Sequence, residues 1–337
     1  MTYDRGLQVP FAPRISPHGA IATRHNLDWL RTHGMLRNED AENHYTRWDV
    51  TDLAARSYPD ATAEDLALAV DLDAFFFLFD DQFDGPLGHD PATAAAVCDR
   101  LIGVLHNASS PDPHSPVEAA FADLWARCTT GMSPRWRGRA AYNWEWYFAS
   151  HPNEAAGRGA TLIPDRESYL VLRRGTAATE TVIDMIERLG HFEVPPSAFH
   201  SPQLRLMRQL AADVPSFSND IFSYDKEAPR GDVYNLLVVL GEEQHCSVDK
   251  AAVIVRDEAQ HMVERFAELA SQTPLLCEAL ALDDTQRASV ERYTDGLACW
   301  LRGYLDWERT TLRYRPDGSL PPDRPNHLEQ LLGTDWD

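Results

Sequence analysis

Three carboxylates close a run of aromatic residues in Phe75-Phe76-Phe77-Leu78-Phe79-Asp80-Asp81-Gln82-Phe83-Asp84, and Gly85-Pro86 stops the run. On a helix, residues three and four apart share a face, so Asp80 sits above Asp84 with Asp81 beside it. Like charges at that spacing cost a helix roughly 0.2–0.5 kcal/mol per pair. No basic residue lies within a turn to offset them. Hard oxygen ligands on one face suit Mg²⁺, which takes one or two carboxylates and completes its shell with water and substrate phosphates. Phe76 and Phe77 lie one turn earlier on the same face. The stretch therefore reads as a metal–phosphate end above an aromatic wall.

A second oxygen-rich stripe occurs at Asn219, Ser223 and Glu227, spaced four and four. An amide oxygen, a hydroxyl and a carboxylate on one helix face form another hard-cation site. Lys226, one of only two lysines (the other is Lys250), falls beside the stripe, where an ammonium can meet a phosphate oxygen. Either stripe alone would more simply be a solvated helix face. Both together, with aromatics under the first, argue for one site. Asp283-Asp284 has no third acid and no aromatic floor, and reads as a helix N-cap.

The elements that must carry these stripes are helical. The pattern predicts an extended N-terminal arm over 1–20, rich in proline, and then helices almost without interruption. One begins near Asn26 and ends at Gly34, one covers about 39–58, and one runs from a capping region at 60–65 to Asp84. Others are predicted at 91–107, 117–130, 134–150, 165–189, 202–227, 232–243, 247–271 and 285–313. No alternating β-branched run and no repeat appear. The tail, 316–337, holds Pro316, Gly318, Pro321, Pro322 and Pro325 and reads as a mobile loop. The expectation is one all-α domain over 1–337.

Net charge is −21, which argues against a nucleic-acid partner and against an anionic membrane surface. An anionic substrate would need a local metal or arginine cluster. Five scattered cysteines in no metal-binding spacing read as reduced cytosolic thiols. The N-terminus has no apolar core region, and no apolar run is long enough to span a bilayer, so a cytoplasmic protein is expected.

With these residues in view, the chain resembles the class I terpene cyclases, and bacterial sesquiterpene cyclases in particular, over essentially its whole length. Phe79-Asp80-Asp81-Gln82-Phe83-Asp84 matches the family's aspartate-rich motif, and Asn219-Asp220-x-x-Ser223-x-x-Lys226-Glu227 its second metal motif. The resemblance implies a single helical bundle with a central active-site cavity. It implies three Mg²⁺ ions, with Mn²⁺ as a substitute, held by Asp80, Asp84, Asn219, Ser223 and Glu227. Asp81 is expected to pair with an arginine such as Arg313. The family's diphosphate-sensing arginine lies 46 positions before the second motif, which is Arg173, with Arg174 adjacent. Thr176 and Ala177 occupy the linker and effector positions at a helix break, beside Gly175. Arg313-Tyr314 matches a late pair that caps the diphosphate, Lys226 joins it, and Arg230 is a further phosphate candidate. Trp307 and Trp300, with Phe76 and Phe77, are expected to line the pocket.

The implied reaction is ionisation and cyclisation of a prenyl diphosphate, C15 farnesyl diphosphate before C10 or C20, by a monomer or homodimer. A chain-elongating prenyltransferase shares the fold but needs a second aspartate-rich motif where this chain has Asn219, Ser223 and Glu227. A non-catalytic helical scaffold has no use for both stripes. A class II cyclase needs an Asp-x-Asp-Asp acid motif, and Asp71-Leu72-Asp73 is followed by Ala74.

Overall fold

A computed structural model describes residues 6–107, 113–315 and 329–332. Among the described residues every regular element is a helix. Residues 6–18 form no helix and lie along the outside of two late helices. The Gln8 amide donates to Gln260 (2.8 Å) and Arg302 donates to the Phe11 carbonyl (2.9 Å). The predicted tail falls largely at 316–328 and 333–337, outside the described residues.

The Ala63–Asp80 helix is the centre of the bundle. Thr62 caps it by accepting from the Asp65 amide. Its residues from Asp65 to Phe76 are all buried, as expected for a helix surrounded by others. The helices Pro134–Ala160, Arg166–Thr176, Thr179–Gly190, Pro202–Glu227 and Asp284–Thr310 complete the walls of a central cavity. Asp283 caps the last of these through a reciprocal bond with Gln286, as its sequence suggests.

Several predicted helices divide. The segment 39–58 is two helices, Glu39–Thr46 and Val50–Ser57, separated at Asp49, which takes a left-handed conformation (φ 51°). The predicted 134–150 helix continues to Ala160 through Pro152. The 202–227 helix likewise continues through Pro215. Proline has no N–H, so the Ala211 carbonyl loses its helical donor. The Trp300 indole N–H replaces it at 2.9 Å. This bond fastens the Asp284–Thr310 helix to the Pro202–Glu227 helix beside the cavity.

Candidate active site

The aspartate-rich stretch does not remain α-helical to Asp84. The α-helix ends at Asp80, and Asp81–Asp84 form a 3₁₀ turn. Carboxylates gathered at a helix C-terminus oppose the negative end of its dipole, which favours ending the helix there. In a 3₁₀ turn residues three apart eclipse. Asp81 and Asp84 accordingly share one cation, with Lys226 Nζ 3.7 Å from Asp81 Oδ1 and 3.5 Å from Asp84 Oδ2. Asp80 is left facing the cavity, as is Asp84. Asp81 instead makes a buried two-pronged pair with Arg313, at 2.6 and 3.1 Å.

On the facing Pro202–Glu227 helix, Asn219 and Glu227 line the same cavity, and Ser223 is buried between them along the stripe. The Asn219 amide N–H donates to the Tyr314 hydroxyl (2.8 Å), and its Oδ1 accepts from Arg173 Nη2 (2.7 Å). Arg173 Nε also donates to Asp220 (3.1 Å), which the Tyr169 hydroxyl and the Leu236 amide hold from other sides. Arg174 turns away and pairs with Asp213 at 2.7 and 2.8 Å. Of the two adjacent arginines, only Arg173 lines the cavity.

The predicted 165–189 helix breaks in two after Thr176. Ala178 adopts a left-handed conformation (φ 55°), and the next helix starts at Thr179. Thr176, Ala177, Ala178 and Thr179 all line the cavity at this break. Gly175 has a different cause. A Cβ there would lie 2.0 Å from Ser150 Oγ, so glycine is required by close packing on the Pro134–Ala160 helix.

Phe76 lines the cavity, backed by Trp144 stacked at 4.9 Å and Tyr147 edge-on at 5.1 Å. Phe77 also lines it, but one side of its ring stacks on Trp307 at 5.5 Å. The Arg313 guanidinium lies 4.6 Å from the Phe77 ring and 4.4 Å from Trp48. One sequence expectation changes here. Trp307 is fully buried behind Phe77, its N–H spent on the Trp48 carbonyl (2.9 Å), so it supports the wall without lining it. Arg230, in the 3₁₀ turn Ala228–Arg230, is outside the cavity lining. Trp300 and Tyr304 supply the aromatic surface from the last helix.

Residues not singled out from sequence complete the mouth. Arg158, Glu154, Asp232 and Tyr234 all line it. Arg158 pairs with Asp232 (2.8 Å) and Glu154 (3.3 Å). They come from one long helix and a loop more than 70 residues later. Only the i,i+4 Glu154–Arg158 spacing was available as a signal, and it is common on any helix.

The donor set fits hard cations bound together with a phosphate-bearing substrate. Among the described residues no three His, Cys, Asp or Glu converge on a point, so the protein alone cannot fill a coordination shell. The Ser223 hydroxyl is buried with no hydrogen-bond partner, although such groups are ordinarily satisfied. Asp80 is pushed up to about 7 by burial and then by Asp84, Glu154 and Asp81. Its carboxylate is exposed to the cavity, where the protein packed around it and the neighbouring acids disfavour its charge. Glu227 is likewise raised to about 7 by burial and Asp232. Opposed carboxylates that resist ionising together are relieved by cations between them. Asp80 and Asp84 could hold such ions on one side, and Asn219, Ser223 and Glu227 on the other.

Residues 71–265 match the family model for terpene synthase family 2, C-terminal metal binding. The chain belongs to the terpene synthase family. It is 37% identical to a pentalenene synthase of Streptomyces arenae, covering 98% of both chains. A (-)-beta-caryophyllene synthase of Saccharothrix espanaensis, described as cyclising (2E,6E)-farnesyl diphosphate, is 39% identical over 96% of this chain and 93% of its own. The crystal structure of germacradien-4-ol synthase from Streptomyces citricolor superposes with a TM-score of 0.83 at 50% identity, covering 91% of this synthase and 99% of that chain. The synthase has no helix, among its described residues, long and apolar enough to cross a membrane.

Proposed function

We propose that this synthase binds farnesyl diphosphate with three Mg²⁺ ions, ionises it and cyclises the C15 cation to a sesquiterpene. The observation that carries this reading is the division of one cavity. Asp80, Asp84, Asn219, Glu227, Arg173 and Lys226 gather at its polar end, and Phe76, Phe77, Trp300 and Tyr304 form its aromatic walls. Relatives across the length of the chain bear the names of sesquiterpene synthases, including one that cyclises farnesyl diphosphate.

Bound divalent ions supply Lewis-acid charge that stabilises the departing diphosphate. Arg173 in its present position occupies Asn219 Oδ1. For that oxygen to take an ion, Arg173 must release it and turn its guanidinium to the diphosphate. Lys226, Arg313 and Tyr314 add donors at the same end, and Asp81 holds Arg313 in place. The allylic C–O bond then breaks, its electron pair leaving with the diphosphate. The aromatic faces attract the resulting cation by roughly 0.5–2 kcal/mol each. Thr176 and Ala177 line the cavity at the helix break, and backbone carbonyls freed by that break would turn their negative ends to the charge. The walls also exclude water that would quench the cation.

Incubation with the C10, C15 and C20 diphosphates, with and without Mg²⁺, tests the substrate. Gas chromatography–mass spectrometry should find a cyclic C15 product only with Mg²⁺ and the C15 diphosphate. A cyclic C20 product in greater yield would overturn the chain length, and a longer prenyl diphosphate formed with isopentenyl diphosphate would favour chain elongation.

A further inference from the structure

Two aspartates on the central helix have opposite surroundings. Asp71 is fully buried and fully paired, receiving Arg127 at 2.8 Å, Asn26 at 2.9 Å and His25 at 3.0 Å. Asp73 is 3% exposed, and its Oδ2 has no hydrogen-bond partner. No cation pairs with Asp73 among the described residues. Asp73 also lines the cavity, which Asp71 does not. It precedes Asp80 by two helical turns on the same face, which places it about 10 Å deeper along the helix axis. The Asp80 end receives the diphosphate, so Asp73 meets the hydrocarbon portion of the substrate.

A carboxylate at that depth would be costly for two reasons. An isolated buried charge neutralises when no partner offsets its lost hydration. Burial alone pushes the Asp73 carboxyl well above the usual carboxylate range. A carboxylate would also be the strongest nucleophile beside a carbocation and would capture it as an ester. A neutral carboxylic acid avoids both problems. It still offers an oxygen lone pair to positive charge inside the cavity. A fixed dipole of this kind, aimed where charge develops, stabilises one cation over its isomers.

We propose that Asp73 is a specificity-determining residue that works as a neutral carboxylic acid, steering positive charge in the hydrocarbon end of the cavity. The inference rests on reading that cavity as the place where a prenyl cation forms. It makes an unusual demand on a buried active-site aspartate, namely that asparagine should replace it. The amide keeps the shape and an oxygen lone pair and cannot ionise.

The experiment compares Asp73→Asn and Asp73→Leu with the unaltered synthase, using farnesyl diphosphate and Mg²⁺. Diphosphate release is followed alongside the product profile. Asp73→Asn should keep the main product and release diphosphate within about threefold of the unaltered rate. Asp73→Leu should still release diphosphate, because the polar end is untouched, but change the main product. The infrared difference between the unaltered protein and Asp73→Asn, recorded near neutral pH without substrate, should show the carbonyl band of a protonated acid. A carboxylate band in its place would overturn the proposal, as would Asp73→Asn losing the main product. An unchanged profile in Asp73→Leu would overturn it too. If Asp73→Leu does not fold, the infrared difference and the asparagine variant decide. Absence of diphosphate release from the unaltered protein would instead count against the substrate assignment, and the infrared result would still judge the state of Asp73.

Discussion

Adjacent residues at this site have been given separate tasks by the direction of their side chains. Arg173 points into the cavity and Arg174 points to Asp213. Replacing Arg173 by alanine should therefore lower diphosphate release by about 10²-fold or more, the usual cost of losing one donor to developing negative charge. Arg174→Ala should leave the rate close to that of the unaltered enzyme. Equal losses in the two variants, measured in the same assay, would misplace the sensor. The metal stripe is tested in the same way. Asn219→Leu and Glu227→Gln should abolish turnover while preserving the helical circular dichroism, whereas Phe76→Ala should redistribute products. Trp307→Ala has a different expected effect, because that ring is core behind Phe77. It should destabilise by about 3–5 kcal/mol in chemical denaturation, as large-to-small core changes do.

At the scale of elements, the site depends on helices that stop or continue against their local sequence signals. The Ala63–Asp80 helix stops four residues before the end of its motif, which lets Lys226 span Asp81 and Asp84. The Pro202–Glu227 helix continues through a proline because Trp300 takes the orphaned carbonyl. Trp300→Phe should leave that carbonyl unpaired and cost about 1–3 kcal/mol of stability. A full-strength denaturation midpoint in this variant would show that water replaces the indole. Gly175 tests the packing of the broken helix. Alanine there forces its Cβ against Ser150 and should destabilise by about 1–3 kcal/mol. A double change with Ser150→Gly should recover part of the loss, which a purely conformational role for Gly175 would not permit. The mouth is built as tightly, since a Cβ on Gly157 would lie 1.4 Å from the Tyr234 hydroxyl.

At the scale of the molecule, the bundle buries carboxyl groups that form no ion pair among the described residues. Asp184 is pushed up to about 8 by burial, against the help of Asn143, and Glu308 likewise to about 8. Between about pH 4 and 8 these groups hold more protons in the folded state than in the unfolded one. Linkage then makes stability fall as pH rises through that window. The denaturation midpoint should decline from pH 6 to pH 8, and Asp184→Asn should flatten the decline. A midpoint that rises over this range would contradict the burial argument. The helical class and the Asn219–Ser223–Glu227 stripe were legible because they depend on spacings of three and four within single helices, whereas the aspartate stretch was legible as a motif although it crosses from an α-helix into a 3₁₀ turn. The mouth residues Glu154, Arg158 and Asp232 were not, since distant segments bring them together. Periodicity also could not separate Phe77 from Trp307, because both are apolar and only packing decides which faces the cavity. The break was expected at Thr176 and Ala177, and packing moves its left-handed residue one position on, to Ala178.

These scales meet in one claim, that cations held between the Asp80 and Asn219 sides of the cavity drive ionisation of a C15 diphosphate. The most direct measurement is turnover of farnesyl diphosphate after chelation of divalent metal and again after Mg²⁺ is restored, with products read by gas chromatography–mass spectrometry. The arrangement predicts no cyclic product after chelation and its return with Mg²⁺. The same yield of cyclic product in both conditions, or none in either, would contradict it.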